Sequence, residues 1–169
     1  MKTLMLLRHG KSDWDHNVDD HDRPLAKRGI DASQRVGKVL TKLNQVPQRI
    51  VSSTAKRALD TVTIAANSGD WQREIETDRS MYETHAEAVL KWIQKQPDSI
   101  ESVLLVGHQP TWSQLGGALI GGGHLRFPTA ALARIDLHIE RWEQAEFGCG
   151  ELVWFELPRV LKGIGYPKS

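Results

Sequence analysis

Cysteine is almost absent: the chain of 169 residues holds one, Cys149. A single thiol can close neither an internal disulfide nor a multi-thiolate zinc site. Its neighbours Phe147, Gly148 and Gly150 offer neither a base nor an oxyanion donor, so it reads as a structural thiol. Net charge is nearly absent as well. Lys+Arg number 22 against 21 Asp+Glu, which excludes a nucleic-acid binder acting through bulk positive charge. The six tryptophans are scattered rather than grouped with basic residues, so no base-stacking surface is indicated. No apolar run approaches the ~20 residues of a membrane helix. The apolar stretch ending at Leu7 is too short for a signal peptide and is closed by Arg8. These absences lead to the expectation of a cytoplasmic protein with no nucleic-acid or membrane partner.

What remains is a globular composition, with 40% hydrophobic residues and 14 glycines, at a length suited to one domain over 1–169. Four segments carry the helical apolar period. They are Val36, Val39, Leu40 and Leu43, in a helix opening near Pro24; Ala55, Ala58, Leu59 and Val62, capped by Ser53 or Thr54; Ala86, Val89, Leu90 and Ile93, behind a Thr84–Glu87 capping box; and Trp112, Leu115, Gly116 and Leu119, opened by Pro110. Between them lie short continuous apolar runs, Leu4–Leu7, Ile50–Val51 and Val103–Val106, as expected of strands covered on both faces. Residues 131–139 alternate instead and suit a strand nearer the sheet edge, with 151–157 able to pair with it. The order β-α-β-α-α-β-α-β-β predicts an α/β domain with a mostly parallel central sheet and antiparallel strands at its edge.

Open α/β sheets bind ligands beyond the carboxyl ends of their parallel strands. The first buried run continues into Arg8-His9-Gly10, the second into Ser52-Ser53 with Arg57 a helical turn later, the third into Gly107-His108-Gln109. Two guanidiniums and two imidazoles therefore converge on one rim. Guanidinium forks match phosphate oxygens and stay charged, while imidazole near neutral pH supplies a nitrogen nucleophile or an N–H donor. Phosphoryl transfer through a phosphohistidine is the chemistry this combination suits, with Gly10 letting the backbone approach the phosphate. Asp13, Asp15, Asp19, Asp20 and Asp22 make an acidic loop at the cleft mouth. A calcium-loop reading of it fails, because Val18 stands where glycine is needed and Pro24 where the bidentate Glu belongs. The glycines at 116–117 and 121–123 lack the Gly-Lys-Ser/Thr of a phosphate loop. His124 reads as an exposed loop residue, and Trp14 and Trp112 as site walls or core.

The chain resembles the histidine phosphatase superfamily, the branch that includes phosphoglycerate mutases, and within it the small SixA-type phosphohistidine phosphatases. The resemblance runs through Leu4-Met-Leu-Leu-Arg-His-Gly-Lys-Ser-Asp-Trp14, Asp22-Arg-Pro-Leu-Ala-Lys-Arg-Gly29, Ser52-Ser-Thr-Ala-Lys-Arg-Ala58, Leu104-Leu-Val-Gly-His-Gln-Pro110, Phe127-Pro-Thr-Ala130 and Leu152-Val-Trp-Phe155. It implies a three-layer α/β/α fold of phosphoglycerate mutase type. It also implies that His9 is the nucleophile, that Arg8, Arg57 and His108 bind the phosphoryl group with Ser12 beside them, and that Glu83 is the proton donor. No metal or cofactor is implied. The substrate would be a phosphohistidine-bearing protein such as a phosphotransfer domain, placing the chain in signal transduction. A small phosphorylated substrate, a phosphoglycerate-type mutase reaction and a non-catalytic phospho-binding module are the alternatives. The chain departs from the pattern at Asp15, where mutase-like members carry Asn, at Gly10 for Ala and at Gln109 for Asn. The three rim loops expected, 10–23, 69–80 and 120–130, leave little lid, which favours a protein-borne phosphate.

Overall fold

Each short apolar run is buried on both sides because successive side chains enter different cores. In the computed structural model, which describes residues 1–168, β1 (Lys2–Arg8) sends Leu4 and Leu6 to one face and Met5 and Leu7 to the other. In β4 (Ser102–Gly107), Val103 and Leu105 oppose Leu104 and Val106 in the same way. The helices α1 (Lys27–Lys42) and α2 (Lys56–Gly69) cover the Met5 face, and α3 (Ala86–Gln94) and α4 (Thr111–Leu119) the Leu4 face. The result is the expected three-layer α/β/α arrangement.

The six strands, completed by β2 (Arg49–Ser52), β3 (Ile75–Thr77), β5 (Leu132–Leu137) and β6 (Gly150–Glu156), lie in the order β3-β2-β4-β1-β5-β6. The pairs β3·β2, β2·β4 and β4·β1 are parallel, whereas β5 is antiparallel to both β1 and β6. The reversed strand is thus one in from the edge. On its polar side Arg134 donates to both carboxylate oxygens of Asp136 at 3.0 Å each, and Thr3 donates to the same carboxylate at 3.0 Å, so this side is paired rather than solvated.

Local expectations needed four corrections. Strand β3 occupies part of the loop expected over 69–80; three residues are too few to show a period. A short helix α5 (Pro158–Gly163) follows β6, started by a proline whose missing N–H costs nothing there. His85, not Thr84, caps α3: its Nδ1 accepts from Ala88 N–H, while the Thr84 carbonyl is taken by Thr111 Oγ1. At α2 the cap position is Ala55, and Ser53, two residues earlier, accepts from Ala55 N–H through its Oγ.

The α1–α2 crossing depends on Gly37, where a Cβ would lie 1.9 Å from the Ala65 carbonyl oxygen. Gly37→Ala should therefore force the helices apart at a cost of about 1–3 kcal/mol. The expected readout is a melting temperature lower by roughly 5 °C; an unchanged value would show that the crossing adapts.

Candidate active site

Parallel strands deliver their carboxyl ends to one side, and here the register brings the critical residues level. Arg8 pairs with Gly107 across β1·β4, and Ser52 with Val106 across β2·β4. His9, Ser53 and His108 follow directly, and the first turn of α2 adds Arg57. Of the predicted site residues, the structure brings Arg8, His9, Arg57 and His108 together. The two imidazole rings lie 5.2 Å apart, and Arg57 Nε donates to His9 Nε2 at 3.4 Å.

His9 is held by two local contacts. Its Nδ1 lies 2.7 Å from the Gly10 carbonyl and donates to it, and its own carbonyl accepts from Ala130 N–H at 2.9 Å. The other ring nitrogen, Nε2, is left with its lone pair facing the cations. Burial, opposed in part by the hydrogen bond to Gly10 and aided by the neighbouring His108 ring, Arg57 and Arg8, drives His9 down to about 3. Burial and the Arg57 charge do the same to His108, also to about 3. Both imidazoles are neutral at neutral pH. His108 Nε2 meets Ser53 Oγ at 2.8 Å; its Nδ1 and Arg8 Nε are buried polar atoms with no protein partner among the described residues. Arg8 itself is fixed by Nη1 donating to the Phe127 carbonyl at 2.8 Å.

Gly10 does something other than expected. Its N–H donates to Thr61 Oγ1, and a Cβ on it would lie 2.9 Å from the Gly29 carbonyl oxygen of α1. A Cβ on Gly29 would in turn meet the Lys11 carbonyl at 2.2 Å. This glycine is there for a backbone-to-backbone approach to α1.

The acidic loop at the cleft mouth is largely exposed, but one of its carboxylates is engaged by the centre. Asp20 reaches into the centre, accepting from Arg57 Nη2 at 3.0 Å, Arg23 Nη2 at 2.9 Å and Tyr82 Oη at 2.6 Å, while its carbonyl accepts from Arg57 Nη1. Burial works against the Asp20 charge, but the Tyr82 and Arg23 hydrogen bonds and Arg57 outweigh it and hold the carboxyl well below its usual range. Tyr82 is correspondingly raised to about 12, by burial and by Asp20. Ser12 is buried and accepts from Arg23 Nη1. Arg23 stacks on the exposed Trp14 ring at 3.5 Å, whereas Trp112 is core beneath Gly107. Asp15 is exposed, and Gln109 turns away to bond Ser113. Glu83 is exposed on the rim beside Tyr82, whose ring packs edge-on to His108 at 5.4 Å. Its φ of 52° lies in the left-handed region, a strained conformation for a residue with a side chain. Cys149 precedes β6 and its carbonyl accepts from His138 N–H, at the opposite end of the sheet from His9. Among the described residues, no three His, Cys, Asp or Glu side chains converge as metal ligands.

Residues 4–89 match the histidine phosphatase superfamily, branch 1. The chain belongs to this superfamily. An uncharacterised protein of Mycobacterium leprae is 33% identical, the alignment covering 90% of this chain and all of the relative. Among solved structures, SixA of Agrobacterium tumefaciens is 28% identical with a TM-score of 0.78, covering 93% of this chain and 98% of its own. A protein histidine phosphatase SixA solved with tungstate shares the fold at a TM-score of 0.82 and 24% identity, covering 94% and 99%. The superfamily assignment thus agrees with the resemblance read from the motifs.

Four side chains of this histidine phosphatase centre were not singled out from sequence as contributors to it: Asp20, Arg23, Ser53 and Tyr82. Ser53 alone carried a signal, as the residue ending a buried strand. The others reach the site from loops, where spacing says nothing about proximity.

The two depressed imidazoles predict the acid behaviour. Between their unfolded value of about 6.5 and about 3 they bind fewer protons folded than unfolded. Their contribution to stability is full above that window and lost as pH falls through it. In an NMR titration, the ring signals of His9 and His108 should keep neutral-form shifts from pH 8 to about pH 4. Protonation of either near pH 6.5 would refute the burial argument.

Proposed function

We propose that this histidine phosphatase is a metal-independent phosphohydrolase that works through phospho-His9 and acts on phosphohistidine carried by a protein. The carrying observation is the state of His9: neutral, with Nδ1 tied to the Gly10 carbonyl and Nε2 facing Arg57. A phosphohistidine substrate would be attacked at phosphorus by the Nε2 lone pair. A new P–N bond forms as the substrate's P–N bond breaks, and the departing imidazole keeps the electron pair and takes a proton. Water then attacks phospho-His9, the P–Nε2 bond breaks with its pair returning to His9, and phosphate leaves. Arg8 and Arg57 would hold the equatorial oxygens during both steps. Ser53 Oγ, which accepts from Ala55 N–H, would give its own proton to His108 Nε2 and leave Nδ1–H as a further donor.

The choice of a protein-borne phosphate is supported by the exposed rim of Trp14, Asp15 and Glu83 and by the SixA likeness. Glu83, exposed beside Tyr82, would donate a proton to a leaving group. An imidazole leaving group can be protonated near neutral pH without it, whereas an alkoxide cannot.

Incubation with labelled phosphoramidate in EDTA should trap an acid-labile phosphoprotein in the wild type and none in His9→Ala; a wild type that never labels overturns the mechanism. Arg57→Ala should lower kcat/KM by about 10²–10³. Glu83→Gln should cut alkyl phosphate hydrolysis roughly 10²-fold while changing phosphohistidine hydrolysis little. Equal losses on both substrates would remove the distinction drawn for Glu83.

A further inference from the structure

A second concave feature lies at the same end of the sheet as His9, displaced toward β5 and β6. It is a recess of about 680 Å³, within the size range of small-molecule sites. Lys11, Arg28, Arg35, Arg126, Arg159 and Lys162 line it, and no carboxylate does. Against a net charge of +1 for the whole chain, these six cations leave everything outside the recess net negative. Among the described residues none of the six is in a salt bridge, and one alone makes a side-chain hydrogen bond, Arg35 Nε to the Tyr166 carbonyl. Unpaired like charges facing one small space repel one another. Surface cations scattered for solubility would not gather this way.

We propose that this recess binds a compact organic polyanion carrying two or more phosphate groups, at a site separate from the His9 centre. Four of the six cations are arginines, whose planar forks pair with phosphate oxygens. Ala32, Phe155 and Leu157 add apolar wall on which a carbon framework can lie. The shape also decides against larger partners. Nucleic acid requires an extended basic stripe, and an acidic protein face is convex where this site is hollow. The neighbouring carboxyl fits as well. Glu156, between Phe155 and Leu157, has both oxygens buried without partners rather than turned toward the cations, and burial raises it to about 8. It subtracts no charge from the recess at neutral pH.

The site is coupled to the catalytic rim by short chain segments. Lys11 is two residues beyond His9, its backbone seated on Gly29 next to Arg28. Arg126 precedes Phe127, whose carbonyl holds Arg8. Pro128 and Thr129 line the recess directly before Ala130, which bonds the His9 carbonyl. His124, expected as a plain loop residue, is also on the lining.

The test uses the His9→Ala protein, to prevent turnover, with inorganic tripolyphosphate as probe in a calorimetric titration. Arg159 and Lys162 are exposed on α5, so reversing both leaves the core untouched. Adding Arg159→Glu and Lys162→Glu should weaken tripolyphosphate about ten-fold or more at low salt. Adding Arg57→Ala instead should change affinity less than about two-fold, since that guanidinium belongs to the other centre. In a protein that keeps His9, the double reversal should leave p-nitrophenyl phosphate hydrolysis within about two-fold, which also reports folding. Three results would overturn the proposal: no tripolyphosphate binding, loss of affinity with Arg57→Ala but not with the double reversal, or tighter binding of poly-L-glutamate than of tripolyphosphate with the same dependence on Arg159 and Lys162.

Discussion

The parallel pairing of β2, β4 and β1 is the constraint on which everything else at the catalytic rim depends. Because β4 sits between the other two, the register that levels Arg8 with Gly107 and Ser52 with Val106 also levels the residues that follow. A slip of one residue would exchange the faces of Leu4–Leu7 and move His9 away from His108 together. Fold stability and site geometry are therefore selected by the same backbone hydrogen bonds. The Gly10–Gly29 contact then fixes the turn after β1 against α1, so the segment bearing His9 rests on main chain.

Such a centre is electrostatically expensive. Arg57 is buried in the first turn of α2, where the helix dipole opposes a cation. Arg8 is nearby and lowers its own affinity for protons through burial and the Arg57 charge. The Asp20 carboxylate and carbonyl offset part of this, and burial first, with the remaining charge after it, keeps the imidazoles neutral. In the proposed mechanism that neutrality leaves the His9 Nε2 lone pair available for attack, so the burial that makes the cations costly also keeps the histidine unprotonated. The basic recess beyond β5 has the same sign of charge with no counterpart of Asp20.

How much of this could be read from the chain depended on the kind of signal. Leu4–Leu7 and Val103–Val106 announced two-sided strands because burial on both faces demands unbroken apolar sequence. Their terminal residues pointed to the rim because chain continuity carries a strand end into its loop. Asp20, Arg23 and Tyr82 could not be found that way. Each comes from a loop whose path is set by packing on other elements, and Asp20 looked like one more member of an acidic run. Gly10 carried a true signal, a need for close approach, but not the identity of what approaches. Helix caps failed for a smaller reason, since α2 and α3 start later than expected, behind Ala55 and His85.

By itself the amino-acid order determined the alternation of helix and strand, the strand-end placement of Arg8, His9, Ser53 and His108, and the family motifs that join them. These follow from local periodicity and from neighbours along the chain. Only the tertiary structure decided which nitrogen of His9 is left facing the cations, that Asp20 is drawn inward, and that Lys11, Arg28, Arg126 and Arg159 share one recess. Those outcomes rest on contacts between segments far apart in sequence, where burial and charge are properties of the assembled fold and of no single stretch of it.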